Sequence, residues 1–434
     1  MNRRDPQKSA IGHWLTNLGV LLASCIVSAI LGEFAARLVL SAPQTVTIER
    51  APDLLARTKF EKVVRAEIRL NNNSEKGKRV FFVMTPTGRR LRANTHVVIR
   101  NHWKTGERIE ITTNDLGYRG PQLGPKQRTR LLFLGDSITL GAYQREENTF
   151  VRQIEGLSQQ QDFSWETVNA GVAGTSLKNS LSILVETGLS VKPDVVVVGF
   201  YLNDFLDSYG VYIDEPPSLF KESWFLSYLY KFVSLYLAEP QQEIDYTAFH
   251  PDDKAIVKLD PVEIKQMQQA YFDTLKVIKT PMYYAEHDRL SAWQLDFYEQ
   301  LPIGEFSDEQ RDFYQQVLDN FRDWGGTWSP HAWTYMQPLF EEFKRLSVAH
   351  DFKLVVVCFP IRSQVEAKTR FDYPQRRFRE SMEALGLPYL DMLPILTQAH
   401  LEGEDLFMDH CHHTANGNRV IAESIYQFLI EQQI

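Results

Sequence analysis

Between residues 129 and 432, short unbroken apolar runs alternate with stretches of helical spacing. Residues 131–134 (Leu-Leu-Phe-Leu) stop at Gly135, and residues 195–198 (four valines) run on to Phe200 and end near Asn203 and Asp204. Residues 353–359 form another such run, while residues 166–171 and 388–391 read as two further strands of more mixed composition. Runs of this length bounded by turn residues read as strands buried on both faces. Residues 146–157, a stretch reaching Leu189, and residues 418–430 carry the helical pattern; in the last, Val420, Ile421, Ile425, Phe428 and Leu429 share a face. Strands alternating with helices predict a parallel sheet covered on both sides.

The first 128 residues follow other patterns. A basic tail, residues 1–10, precedes residues 11–40, which read as a transmembrane helix: from Ile11 to Gly32 no residue is charged apart from a possible proton on His13. About 20 such residues cross a bilayer as a helix. A cleaved signal peptide is the rival reading, but the run exceeds the usual 7–15 residues of such a core. Glu33 and Arg37, four apart, continue the helix. Arg3, Arg4 and Lys8 favour a cytoplasmic N-terminus, with Arg37, Arg50, Arg57 and Lys59 competing on the other flank; since long domains cross largely regardless of charge, the expectation is a single-pass cytoplasmic-membrane protein with its bulk outside. Residues 41–128 alternate in short strands near 79–84, 95–99 and 108–113, with a turn at 85–88, and read as a β-rich basic juxtamembrane segment.

Charge sharpens this division. The chain of 434 residues carries a net charge of -8, yet residues 41–130 hold 19 Lys and Arg against 8 Asp and Glu. The basic segment suits an anionic surface, lipid headgroups or an acidic glycan. Aromatics that would stack bases do not interleave with it, so no nucleic-acid partner is expected. Three cysteines, Cys25, Cys358 and Cys411, make no disulfide framework, although a single Cys358–Cys411 bridge is conceivable.

Chemistry concentrates at the ends of the apolar runs. Ser137 follows Gly135-Asp136 just past the first strand, where ligands bind in open α/β sheets. Ser and Asp are also ordinary helix caps there. Far downstream, Asp409 precedes His412 by three residues, one helical turn, so its carboxylate can accept from Nδ1 and leave Nε2 as a base. A serine hydroxyl needs such a base to act as a nucleophile. The cluster His410, Cys411, His412 and His413 could instead ligate a metal, but no second ligand group at zinc spacing appears, and no metal or cofactor is expected. His410 and His413 read as solvent-facing loop residues.

Gly135-Asp136-Ser137, Asn169-Ala170-Gly171-Val172-Ala173-Gly174, Asn203-Asp204 and Asp409-His410-Cys411-His412, with Gly417 behind them, resemble the blocks of the GDSL/SGNH hydrolases in order and position. Residues 112–119 resemble the lead-in of membrane-anchored bacterial members. The resemblance implies a three-layer α/β/α sandwich around a parallel five-stranded sheet, flavodoxin-like, over residues 129–432. It implies acyl ester hydrolysis or transfer, with Ser137 as nucleophile, His412 as base and Asp409 orienting it. The N–H groups of Ser137 and Gly174 and the amide of Asn203 would form the oxyanion hole. The expected partner is an acylated carbohydrate or other small ester, acetyl esters on cell-envelope polysaccharide being the favoured case. The alternatives are an O-acetyltransferase using the same residues and an inactive anchored glycan-binding or scaffold protein.

Two features depart from that pattern. Tyr201 stands where the family commonly has glycine, which could narrow the pocket or shift Asn203. Residues 207–349 form an insertion rich in aromatics, among them Trp224, Phe225, Trp324, Trp328 and Trp333, which either line a substrate cleft or pack a helical subdomain. A helix is expected over residues 262–278. An α/β-hydrolase fits worse, since Thr139 stands where the nucleophile elbow requires glycine.

Overall fold

The computed structural model describes residues 6–39, 82–85, 88–100, 105, 107–160, 165–206, 223–226, 228–229, 241–245 and 281–434. The expected helix over 262–278 lies outside them. Two compact units divide the chain: residues 1–46 with 213–239, and residues 47–212 with 240–434.

In the larger unit, β5 (Thr129–Gly135), β6 (Trp165–Asn169), β7 (Val195–Tyr201), β9 (Lys353–Phe359) and β10 (Tyr389–Asp391) form a five-stranded sheet in the order β10-β9-β7-β5-β6. Every pairing is parallel. This is the flavodoxin-like order, and it reverses direction between β5 and β7. All seven residues of β7 are buried, as an unbroken apolar run covered on both faces requires. Side chains three apart on a strand point to opposite faces, and the aromatic contacts show both coverings. Phe133 of β5 meets Phe150 of α3 (Phe150–Gln160) at a centroid distance of 6.0 Å. Phe200 of β7 meets Trp333 and Phe340 of α7 (Pro330–His350) and Phe378 of α9 (Tyr373–Leu385), each at 5.8 Å. The remaining helices of the sandwich are α4 (Leu177–Glu186), α8 (Arg362–Val365), α10 (Met392–Leu401) and α11 (Ala415–Glu431).

From residue 281 onward the insertion belongs to this core. Phe297 of α5 (Pro281–Glu299), Phe313 of α6 (Asp308–Asp319), Trp324, Trp328 and Trp333 are all buried. These tryptophans pack the interior rather than line a cleft, because the sheet's outer helices need apolar cover.

The basic segment contributes β1 (Phe82–Thr85) and β2 (Gly88–Leu91), an antiparallel pair, and β3 (His96–Arg100) and β4 (Ile109–Thr112), another. β2 was not legible as a strand, because Arg89 and Arg90 interrupt any apolar alternation there. The insertion returns β8 (Gln241–Asp245) to pair in parallel with β3. Among the described residues, 88–100, 105 and 107–128 group with the five-stranded sheet and not as a unit apart. The buried Arg119 guanidinium donates to the carbonyls of Leu140, Gly141 and Gln144 at 2.9, 2.6 and 2.8 Å.

In the smaller unit, α1 (Pro6–Val39) includes Thr16–Val39, 24 residues of mean hydropathy 2.1, most of them exposed. It is long and apolar enough to cross a membrane, and a signal sequence meets the same criterion.

Candidate active site

β5 delivers its terminal residues to the rim where the strand order reverses. Gly135 adopts φ +154°, and a Cβ there would lie 2.3 Å from Thr139 Oγ1 and 2.7 Å from the Gly199 carbonyl oxygen. Only glycine permits so close a crossing. Asp136 caps the short helix α2 (Ser137–Leu140), its Oδ1 accepting from Ile138 N–H at 2.9 Å. Burial pushes the Asp136 carboxyl up to about 6, against the lowering effect of that bond and of His412. Ser137 therefore opens the helix on a fixed turn, half-buried.

The loop before α11 supplies the other groups. Asp409 Oδ1 accepts the N–H groups of Cys411 and His412 at 2.9 and 2.7 Å, and Oδ2 lies 2.8 Å from His412 Nδ1. A carboxylate facing Nδ1 places the ring proton there, which leaves Nε2 an acceptor. Nε2 lies 2.9 Å from Ser137 Oγ. The ring of Tyr143 stands edge-on to His412, centroids 4.4 Å apart. Asp136 Oδ2 is 3.5 Å from the Ser137 hydroxyl, so His412 holds the shorter contact.

Asn169 ties the second block to the nucleophile turn: its Nδ2 donates to Thr139 O at 2.8 Å and its Oδ1 accepts from Gly171 N–H at 3.0 Å. Gly174 is exposed at φ +64°, beside an Ala173 carbonyl held by buried Arg89 at 2.6 Å. Asn203 is half-buried in the turn after β7.

This geometry coincides with a family match. The GDSL-like lipase/acylhydrolase family covers residues 131–425. The chain belongs to that family. It is an ester-hydrolysing enzyme. Among solved structures, a two-domain esterase active on acetylated mannans, co-crystallised with mannopentaose, is 12% identical over 70% of this chain and 49% of its own, with TM-score 0.36. The acetyl xylan esterase AlAXEase is 12% identical over 69% and 98%, TM-score 0.32. A catalytic mutant of the acetylxylan esterase Axe2 from Geobacillus stearothermophilus is 13% identical over 71% and 96%, TM-score 0.35. Likeness of this degree carries no argument about substrate. No curated protein matches the sequence.

Around the GDSL-type site the structure adds residues that the sequence did not mark. Asn203 Nδ2 donates to Asp323 Oδ1 at 3.0 Å, and Asp323, from the insertion, is buried. His410 lies between two carboxylates, its Nε2 3.6 Å from Asp323 Oδ2 and its Nδ1 3.6 Å from Asp409 Oδ1. His410 is thus half-buried rather than solvent-facing. His413 departs further from expectation: it is 3% exposed, between the rings of Phe359 and Phe407, and burial lowers its imidazole to about 3. A bridge between Phe407 and His413 turns that side chain inward. Tyr201 is 1% exposed, so its side chain lies in the interior; its N–H is fixed by Asp204 Oδ2 at 2.9 Å. Asp204 is itself buried and held well above the usual carboxylate range, by burial first and by Asp136 second.

Cys358 and Cys411 are both buried and share no disulfide, so the conceivable bridge is absent. Asp409, His410 and Cys411 bring donor atoms within 4.8 Å of one another, but both Asp409 oxygens already accept hydrogen bonds.

Proposed function

We propose that this enzyme cleaves acyl esters of carbohydrate by nucleophilic catalysis, with Ser137 as nucleophile, His412 as general base and Asp409 as its orienting carboxylate. The contact that carries the reading is His412 Nε2 to Ser137 Oγ at 2.9 Å, backed by Asp409 at 2.8 Å. Ser137 Oγ attacks the ester carbonyl as His412 takes its proton. The tetrahedral oxyanion is received by the N–H groups of Ser137 and Gly174 and by Asn203 Nδ2. Collapse expels the sugar hydroxyl with the proton from His412, and a water, deprotonated by the same imidazole, releases the acid.

Asn203 carries two amide hydrogens; Asp323 accepts one and leaves the other for the oxyanion. Among the described residues, polar side chains (Asp323, His410, Asn203) flank the site, which favours a short acyl group such as acetyl on a polar acceptor. In this reading α1 anchors the enzyme in the cytoplasmic membrane, with the hydrolase outside. The test is Ser137→Ala: p-nitrophenyl acetate turnover is lost while the thermal melt is unchanged, and a fluorophosphonate probe labels Ser137 in the parent only. Turnover equal to the parent's overturns the reading.

A further inference from the structure

Part of the insertion groups with α1 rather than with the hydrolase: residues 213–239 and 1–46 form one unit. The contact between them is specific. Ser223 Oγ donates to Glu33 Oε2 at 2.6 Å, Trp224 N–H to Oε1 at 3.1 Å, and Phe225 N–H to Oε2 at 2.9 Å. Residues 224–226 and 228–229 are helical, and Ser223 caps this turn by accepting from Leu226 N–H at 3.1 Å. Glu33 therefore satisfies N–H groups that a helix start leaves open.

Gly32, one residue earlier, completes the seat: a Cβ there would come within 2.8 Å of the Phe225 ring. Arg37 pairs with Glu33 at 2.6 Å and places its guanidinium 5.5 Å from the Trp224 ring centroid.

A carboxylate in an apolar, membrane-length helix is costly unless it is paired and hydrogen-bonded. Glu33 has both, and its partners are Arg37 and the insertion. A leader destined for removal has no use for bonds to the mature chain. The residues it holds have the composition of an interfacial element. From Trp224 to Ala238 the sequence has one charge, Lys231, amid aromatics and leucines, and at 15 residues it is too short to cross a bilayer. Leu229 is 44% exposed.

We infer that residues 223–226 with 228–229 are a second membrane-contacting element, clasped to a retained α1 through Glu33 and Gly32 and lying in the headgroup–acyl boundary of the bilayer. The inference rests on α1 as an anchor and is independent of the chemistry at Ser137.

The test uses the full chain in phosphatidylcholine–phosphatidylglycerol vesicles, with Cys25→Ser and a single Leu229→Cys carrying an environment-sensitive fluorophore. Cys358 and Cys411 are buried, and the unsubstituted C25S protein reports any labelling of them. Val348→Cys, 77% exposed on α7, is the aqueous reference. The expected result is blue-shifted emission at 229, quenched by lipids spin-labelled near the glycerol and shielded from iodide, with position 348 showing the reverse. Glu33→Ala and Gly32→Leu, which leave p-nitrophenyl acetate turnover unchanged, shift position 229 toward the behaviour of 348. Emission at 229 matching that at 348 in the parent overturns the membrane contact. Lipid quenching that persists in both variants overturns the clasp. A purified chain whose mass lacks residues 1–40 overturns the anchor, whatever fluorophosphonate labelling of Ser137 reports.

Discussion

Asp323 braces Asn203, the side chain proposed to receive the oxyanion. Its carboxylate fixes the plane of the Asn203 amide at 3.0 Å. The turn that carries it is rigid, since a Cβ on Gly326 would lie 2.2 Å from the Phe205 ring and Asp323 N–H is bound to Asn320 O at 2.9 Å. Removing one oxyanion donor from a serine hydrolase costs about 10²–10³ in rate. Loosening a donor without deleting it costs less. Asp323→Ala is expected to lower kcat on p-nitrophenyl acetate about 10–100-fold with KM nearly unchanged. Asp323→Asn, which keeps an acceptor oxygen, should restore most of that loss. A parental kcat in D323A would show that Asn203 needs no brace. Nothing in the sequence pointed to Asp323, because it lies 120 residues from Asn203 in a stretch with no motif.

At the scale of elements, α1 and the turn after β5 were both legible, for different reasons. The apolar length of α1 is a local property, and so is the Gly-Asp-Ser turn, where a crossing too tight for a Cβ and a capping carboxylate sit side by side. The proposed orientation of α1 rests on flanking charge: Arg3, Arg4 and Lys8 favour a cytoplasmic N-terminus, Arg37, Arg50, Arg57 and Lys59 on the other flank compete, and long domains cross largely regardless of their own charge. Protease added to spheroplasts should therefore digest the hydrolase unit and leave a small membrane-protected fragment containing α1. Full protection until detergent is added would reverse the orientation. The β2 strand and the return of β8 to β3 were not legible. Pairing of that kind depends on which edges meet, and two adjacent arginines mask the period-two pattern.

The hydrolase unit as a whole stores pH sensitivity in its interior. His413 has a folded value of about 3, below its ordinary 6.5, so its contribution to stability is present above pH 6.5 and is lost as pH falls toward 3. Asp136 runs the other way. Its folded value of about 6 exceeds the ordinary 3.8, so its contribution is present below 3.8 and is lost as pH rises through 6. Replacing His413 by Phe removes only the first effect. Between pH 6 and 4 the parent should lose stability relative to His413→Phe by about 1.4 kcal/mol per pH unit. Paired thermal melts across that range measure the difference, and parallel curves would place His413 in contact with water.

The sequence by itself determined the strands of the sheet, the anchor-length helix, the serine's turn and the three-residue step from Asp409 to His412. Each of these is written in neighbouring residues, through apolar run length, backbone crowding or the helical period. Tertiary structure alone decided which distant groups meet. Ser137 and His412 are 275 residues apart, yet β5 and the loop before α11 end at one rim because the strand order reverses there. The same holds for Asp323 beside Asn203, for His413 turned between two phenylalanine rings, and for Ser223 on Glu33, 190 residues away. A hydrogen bond between remote side chains leaves no periodic trace in the chain, since its strength depends on where the packed elements place two atoms and not on what surrounds either in sequence.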